Sequence, residues 1–355
     1  MSNIQHDNSI SIIRVTAMMM IVLYHCLCYN AGIWTGFDNV ITYRPIVVAT
    51  IRNIAYVGLD AFVFISGLLY YRISTTGKYK NEKAFLRNKT ERLLIPYIAW
   101  GILLCLIFWN YENPIRILYG ISHLWFLLML FEIFAIVSLT KAYWNKLNLE
   151  MSLCILVTLL VIDGLTAKLA ILPHDDDGRV LLAMQSTIDY LPIFYLGIIT
   201  EKFDICNKVK IKRNIALIIV LLLFSIGIVP FLIHMHITRL YQWLPTYLLL
   251  VIVYSTLKKG NRAYVGGGKR QTVILLLDNF SLAIYIIHHI LIFVYFDYVP
   301  GGQSFMSEHY IIAPILMFIV ALPLSLLITH GLSYMPCSKY IIGISANRSI
   351  SNHSS

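Results

Sequence analysis

Residues 10–30 read ISIIRVTAMMMIVLYHCLCYN. The stretch is almost wholly apolar and long enough, as an α-helix, to cross about 30 Å of hydrocarbon. Working outward along the chain, comparable runs recur near residues 47–71, 92–109, 121–140, 151–171, 187–201, 214–233, 241–257, 272–296 and 308–333. The sixth of these ten spans is the shortest and contains Asp189 and Pro192. Of the 355 residues 58% are hydrophobic and 13% charged, where a water-soluble domain carries about a quarter charged residues. A soluble globular protein is thereby excluded. The expected fold class is all-α, a polytopic membrane protein of about ten transmembrane helices, in one domain over residues 1–340 with a short polar tail at 341–355.

Charge placement tests that reading, because cytoplasmic loops concentrate Lys and Arg. Of the 28 Lys and Arg, 21 lie in or near the loops after spans 2, 4, 6 and 8 and the C-terminal tail, 6 lie in or near the alternate loops, and the last is Arg14 of the first span. A missed span would scramble this contrast, so both termini are expected in the cytoplasm and the protein in the inner or plasma membrane. The formal charge of +10 is then a topology signal and contact with lipid headgroups, and no nucleic-acid partner is expected. The first span is too long for a signal-peptide core and lacks a small-x-small cleavage site, so it is expected to remain as the first helix. Cys26, Cys28, Cys105, Cys154, Cys206 and Cys337 lie mostly within spans or on cytoplasmic segments, where a disulfide framework is not expected. Cys26 and Cys28 fall on roughly opposite helix faces, and no metal site is expected.

Chemistry must therefore lie between helices, and the polar residues inside the spans are its candidates. Asp60, Glu132 and Asp163 fall near the middle of theirs. Exposed to lipid as charges they would cost roughly 8 to 10 kcal/mol together, so they are expected to face inward. In the first span Arg14 is followed by ten residues and then His25. That separation is just over three helical turns, which puts both on one face about 16 Å apart. A snorkelling arginine and a hydrogen-bonded core histidine would account for the pair equally well. In the ninth span Asp278, Ser281, Tyr285 and His288 form a polar stripe, with His289 about 100° off it. His288 and His25 fall at similar depth. His123 opens the fourth span from the outer side, with Glu132 on the opposite face, aligned with Trp125.

The segment 72–92 reads as a loop carrying Arg72, Lys78, Lys80, Lys83, Arg87, Lys89 and Arg92 against Glu82 and Glu91. It serves topology and anionic-lipid contact, or its end clamps the phosphates of a cytoplasmic nucleotide-like donor. No phosphate loop or dinucleotide fingerprint occurs, and Gly266-Gly267-Gly268-Lys269 lacks the spacing. His174-Asp175-Asp176-Asp177 reads as a solvated loop.

Taken together these segments resemble the integral-membrane acyltransferase-3 family over nearly the whole chain. Arg14-x10-His25 is similar to its basic-x10-His signature, and Gly58-Leu-Asp60-Ala-Phe62-Val-Phe64-Ile-Ser66-Gly67 to its aromatic-rich segment ending in Ser-Gly-Phe-Leu, with Leu68 in place of Phe. Lys89-Thr-Glu-Arg92-Leu-Leu-Ile-Pro96-Tyr97 resembles the basic-x-x-Arg motif, with Lys89 where Arg is commoner. His123-Leu-Trp125-Phe126, Phe194-Tyr-Leu-Gly197 and Tyr285-Ile-Ile-His288 resemble three further motifs in the family's order. The resemblance implies ten transmembrane helices and transfer of an acyl group, commonly acetyl, from acyl-CoA to extracytoplasmic carbohydrate or lipid. Acyl-CoA is then the donor substrate, and the acceptor a hydroxyl of a surface polysaccharide or lipid-linked glycan. On that basis Arg14 with Lys89, Arg92 and Arg87 would hold the donor's phosphates, and His25 would be the general base. His288 or Tyr285 would orient it or stabilise an oxyanion, Asp60 would set a histidine tautomer, and Ser66 or His25 would carry any covalent acyl group. His123, Trp125 and Glu132 would line the acceptor side. Two other readings stand beside this one: a proton-coupled exporter, and a non-enzymatic partner of a polysaccharide synthase.

Overall fold

The structure is a computed structural model that describes residues 7–34, 43–79, 81–108, 114–169, 181–232, 238–262 and 269–344. Among them every regular element is helical. The long helices are α1 (Asn8–Leu27), α2 (Pro45–Thr75), α3 (Ile95–Ile107), α4 (Trp125–Leu139), α5 (Leu149–Leu169), α6 (Met184–Lys202), α7 (Arg213–Leu232), α8 (Thr238–Arg262), α9 (Lys269–Tyr298) and α10 (Ala313–Ser333). Each expected span is thus a helix. Nine helical stretches among the described residues are long and apolar enough to cross a membrane. The protein is an all-α polytopic membrane protein.

Two local readings change. The short sixth span is a 19-residue helix, α6, that carries Pro192 inside it. The segment 72–92 is helical from Glu82 onward: Asn81 caps it by accepting from the Ala84 N–H at 2.9 Å, and a π-turn over Thr90–Leu94 runs directly into α3. Pro96 has no N–H to return to the Arg92 carbonyl, which loosens the α-ladder at this point. Its high charge had concealed a helix that starts outside the apolar run. The His174–Asp177 segment and Gly266–Gly268 lie outside the described residues.

The chain divides into two compact units. The first comprises residues 1–24, 43–75 and 193–281. Within it α2 and α6 meet at glycines: a Cβ on Gly67 would overlap the Phe194 carbonyl, and one on Gly197 the Phe64 carbonyl. Backbones approach this closely only where no side chain intervenes. Asn53 of α2 donates to the Phe224 carbonyl of α7 at 3.1 Å. The outward side of α7 exposes Leu217, Ile218, Leu221 and Leu222, a surface that water would not tolerate and lipid does.

At the helix ends of the first unit, Arg72 gathers three elements. It bonds Glu201 through two nitrogens, at 2.5 and 3.1 Å, and Asp7 at 2.9 Å, and it donates to the Tyr254 hydroxyl. Lys258 lies 3.6 Å from Glu201.

The second unit comprises residues 25–42, 76–192 and 282–355. The Tyr97 hydroxyl of α3 donates to the Ile117 carbonyl at 2.5 Å and accepts from the Ile121 N–H, pinning the turn that leads into α4. In that turn Ser122 adopts φ +45°, a conformation most side chains avoid. A short helix, Ser338–Ile342, is tied to α3 and the π-turn: Trp100 donates to the Ile341 carbonyl at 2.7 Å, Arg92 to the Gly343 carbonyl at 2.8 Å, and Lys339 pairs with Glu91.

Candidate active site

In the second unit four histidine rings meet. His25, from the end of α1, lies 2.9 Å through Nδ1 from His288 Nε2 of α9. Its ring centroid is 4.6 Å from that of His289, with the planes nearly perpendicular at 86°. His289 in turn stacks on His123 at 4.2 Å and on Phe293 at 4.5 Å. His123, His288 and His289 are at most 5% exposed, whereas His25 is half-buried. The end of α1 is held for this contact by Asn30, which donates to the Met306 carbonyl at 2.9 Å, and by Tyr29 stacked on Phe296 at 4.7 Å. Trp34 packs on Phe293 at 4.7 Å.

Backbone carbonyls fix where the protons sit, because a carbonyl only accepts. His288 Nδ1 lies 2.9 Å from the Ile284 carbonyl, so Nδ1 carries hydrogen. His288 is 0% exposed and meets no carboxylate among the described residues; an imidazolium enclosed without an anion is too costly to persist, so the ring is neutral. Its Nε2 is then a lone pair, and His25 must donate to it from Nδ1. The lone pair of His25 therefore resides on Nε2. By the same logic His123 Nε2, 2.9 Å from the Ile286 carbonyl, carries hydrogen and leaves its lone pair on Nδ1. Residues 284 and 286, two apart on one helix, thus set two tautomers.

The other sequence-derived candidates take definite places. Tyr285 donates its hydroxyl hydrogen to the His123 carbonyl, so it holds His123 and is not aimed at a reacting group. Helical-wheel spacing set His289 aside because it lies 100° from His288; His25 packs against both, since a ring seated between two adjacent positions touches each. Trp125 packs against Tyr190 at 5.8 Å, and Glu132 accepts from the Thr187 hydroxyl at 2.5 Å. The Lys89 ammonium sits 3.7 Å above the Phe134 ring, Arg92 meets Gly343 as described, and Arg87, 82% exposed, pairs with Glu91 at 3.2 Å. In the first unit Arg14 binds Asp278 at 2.5 Å, and Ser11 donates to the same carboxylate at 2.7 Å. Asp60 is 6% exposed, and the Ser66 hydroxyl donates to the Phe62 carbonyl one turn earlier at 2.9 Å. Among the described residues no group of three or more His, Cys, Asp or Glu is arranged to hold a metal ion.

A family model described as an acyltransferase domain, Acyl_transf_3, matches residues 7–330. The chain belongs to this acyltransferase family. Neither the curated proteins nor the solved structures gave a match.

Proposed function

We propose that the protein is a membrane O-acyltransferase of the inner or plasma membrane. It moves an acyl group, with acetyl the expected one, from acyl-CoA to a hydroxyl of a surface polysaccharide or lipid-linked glycan. The observation that carries this reading is the chain from the Ile284 carbonyl through His288 to His25, which leaves a lone pair on His25 Nε2. An imidazole so poised takes the proton of an acceptor hydroxyl as its oxygen bonds to the thioester carbon. The C–S bond then breaks, and the thiolate leaves and receives that proton from His25. His288 stabilises the transient imidazolium by accepting from its Nδ1–H, the task a carboxylate performs in serine hydrolases.

Arg14 is proposed for the donor's phosphates on the sequence resemblance alone. One of its nitrogens is on Asp278, and a guanidinium has five N–H donors in all. Lys89, Arg92 and Arg87 remain as further cationic contacts, of which the exposed Arg87 is open to an anion in solution.

Membranes given acetyl-CoA labelled in the acetyl group are expected to transfer label to a glycan or lipid. His25→Ala at equal protein level is expected to lose about 10²- to 10⁴-fold of that rate. Undiminished labelling in the variant would refute the reading. Solute movement without thioester consumption would indicate an exporter, and neither activity a non-enzymatic partner of a synthase.

A further inference from the structure

The mechanism above leaves the charge on the thioester oxygen without a partner. When the acceptor oxygen bonds to the acyl carbon, the carbonyl π-electrons move onto oxygen, and a donor must wait there in advance. Around the base most donors are committed: His25 Nδ1–H to His288, His288 Nδ1–H and His123 Nε2–H to backbone carbonyls, and the Tyr285 hydroxyl to the His123 carbonyl. His289 is different. Among the described residues its ring makes no hydrogen bond, yet a neutral imidazole carries one N–H in either tautomer. Its two faces are taken by the stacked rings of His123 and Phe293. The perpendicular contact with His25 is therefore made by its edge, and the edge is where the nitrogens are. Although the ring is only 5% exposed, its nitrogens are not among the fully sealed, unsatisfied polar atoms, whereas His123 Nδ1 is. The ring nitrogens thus keep some access at the edge of the ring, which His25 and Trp34 both border.

We propose that the ring N–H of His289, set edge-on to His25 between two stacked rings, donates to the oxyanion formed on the thioester carbonyl. This rests on the acyl-transfer reading above. The stacking holds the ring before substrate arrives, so the donor is preorganised and not recruited. In the forward step the acceptor proton goes to His25 Nε2 and the oxyanion accepts from His289. On collapse the C=O re-forms, the C–S bond breaks and the thiolate takes the proton back from His25.

The test compares His289→Phe, which keeps a stacked ring without a donor, with His289→Gln, which keeps an N–H of similar reach. Both are purified in detergent and assayed with labelled acetyl-CoA per folded protein. His289→Phe is expected to lower kcat about 10²- to 10³-fold with both KM values little changed. His289→Gln is expected to recover at least about tenfold of that, since a donor returns. Near-normal kcat in His289→Phe, or equal loss in both variants, would overturn the assignment. If the Phe variant does not fold, His289→Gln against His289→Met supplies the same contrast. Transfer abolished by His25→Ala but untouched in His289→Phe defeats this inference alone; transfer surviving in His25→Ala defeats the acyl-transfer mechanism beneath it.

Discussion

Replacing His288 by Phe tests the tautomer argument most directly. The ring volume is nearly kept in a site that is 0% exposed, and the acceptor 2.9 Å from His25 Nδ1 is removed. In the resting enzyme that bond joins two neutral rings and is worth about 1 kcal/mol net. Once His25 has taken the acceptor's proton, the same bond is charge-assisted and worth about 1.5–3 kcal/mol. Only the difference, about 0.5–2 kcal/mol, lowers the barrier, because catalysis draws on what is stronger in the transition state. At about 1.4 kcal/mol per tenfold this predicts a fall in kcat of roughly 2- to 30-fold. The Ile284 carbonyl keeps its helical partner, the backbone N–H four residues on, so folding should suffer little. His288→Gln places an oxygen where Nε2 was and is expected to recover much of the loss. The assay is steady-state transfer from labelled acetyl-CoA, with kcat and KM separated. Wild-type kcat in His288→Phe, or a loss confined to KM, would refute the argument that His288 serves as the acceptor behind the base.

Gly67→Ala is expected to be among the most damaging small substitutions outside the histidine cluster, because the added methyl meets the Phe194 carbonyl. A forced separation of α2 and α6 costs about 1–3 kcal/mol or more, read as a lowered Tm in detergent. The pH dependence of stability should carry a mark of Asp7. Burial opposes ionisation of its carboxyl, but the Arg72 charge and hydrogen bonds from Arg72 and Ser9 outweigh it and hold its pKa below 3.8. A group depressed on folding contributes stability above its unfolded value and loses it as pH falls through the folded one. The Tm difference between wild type and Asp7→Asn is therefore expected to hold steady at neutral pH and to shrink below 3.8; a difference that grew on acidification would contradict it.

Much of the fold was written in the local order of residues. The length of each apolar run decides whether it can cross hydrocarbon, and burying a charge in lipid is costly enough to dictate which faces turn inward. The ten long helices were legible for that reason, and so were the inward Asp60 and Asp163, 6% and 1% exposed. Where charge masked a helix, at Glu82–Lys89, hydropathy had no signal to give.

What tertiary structure alone decided is which atoms face which. Spacing along one helix places His288 and His289 on different faces, but a ring from a distant part of the chain lies against both. No periodicity reports that the Ile284 and Ile286 carbonyls dictate two tautomers, that Tyr285 is committed to a backbone oxygen, or that Lys89 rests on Phe134. Those facts depend on contacts between residues remote in sequence, where displacements of an ångström determine whether a hydrogen bond exists. Composition and period specify the helices because these are properties of neighbours along the chain; the proton positions on which any chemistry turns emerge only when the helices meet.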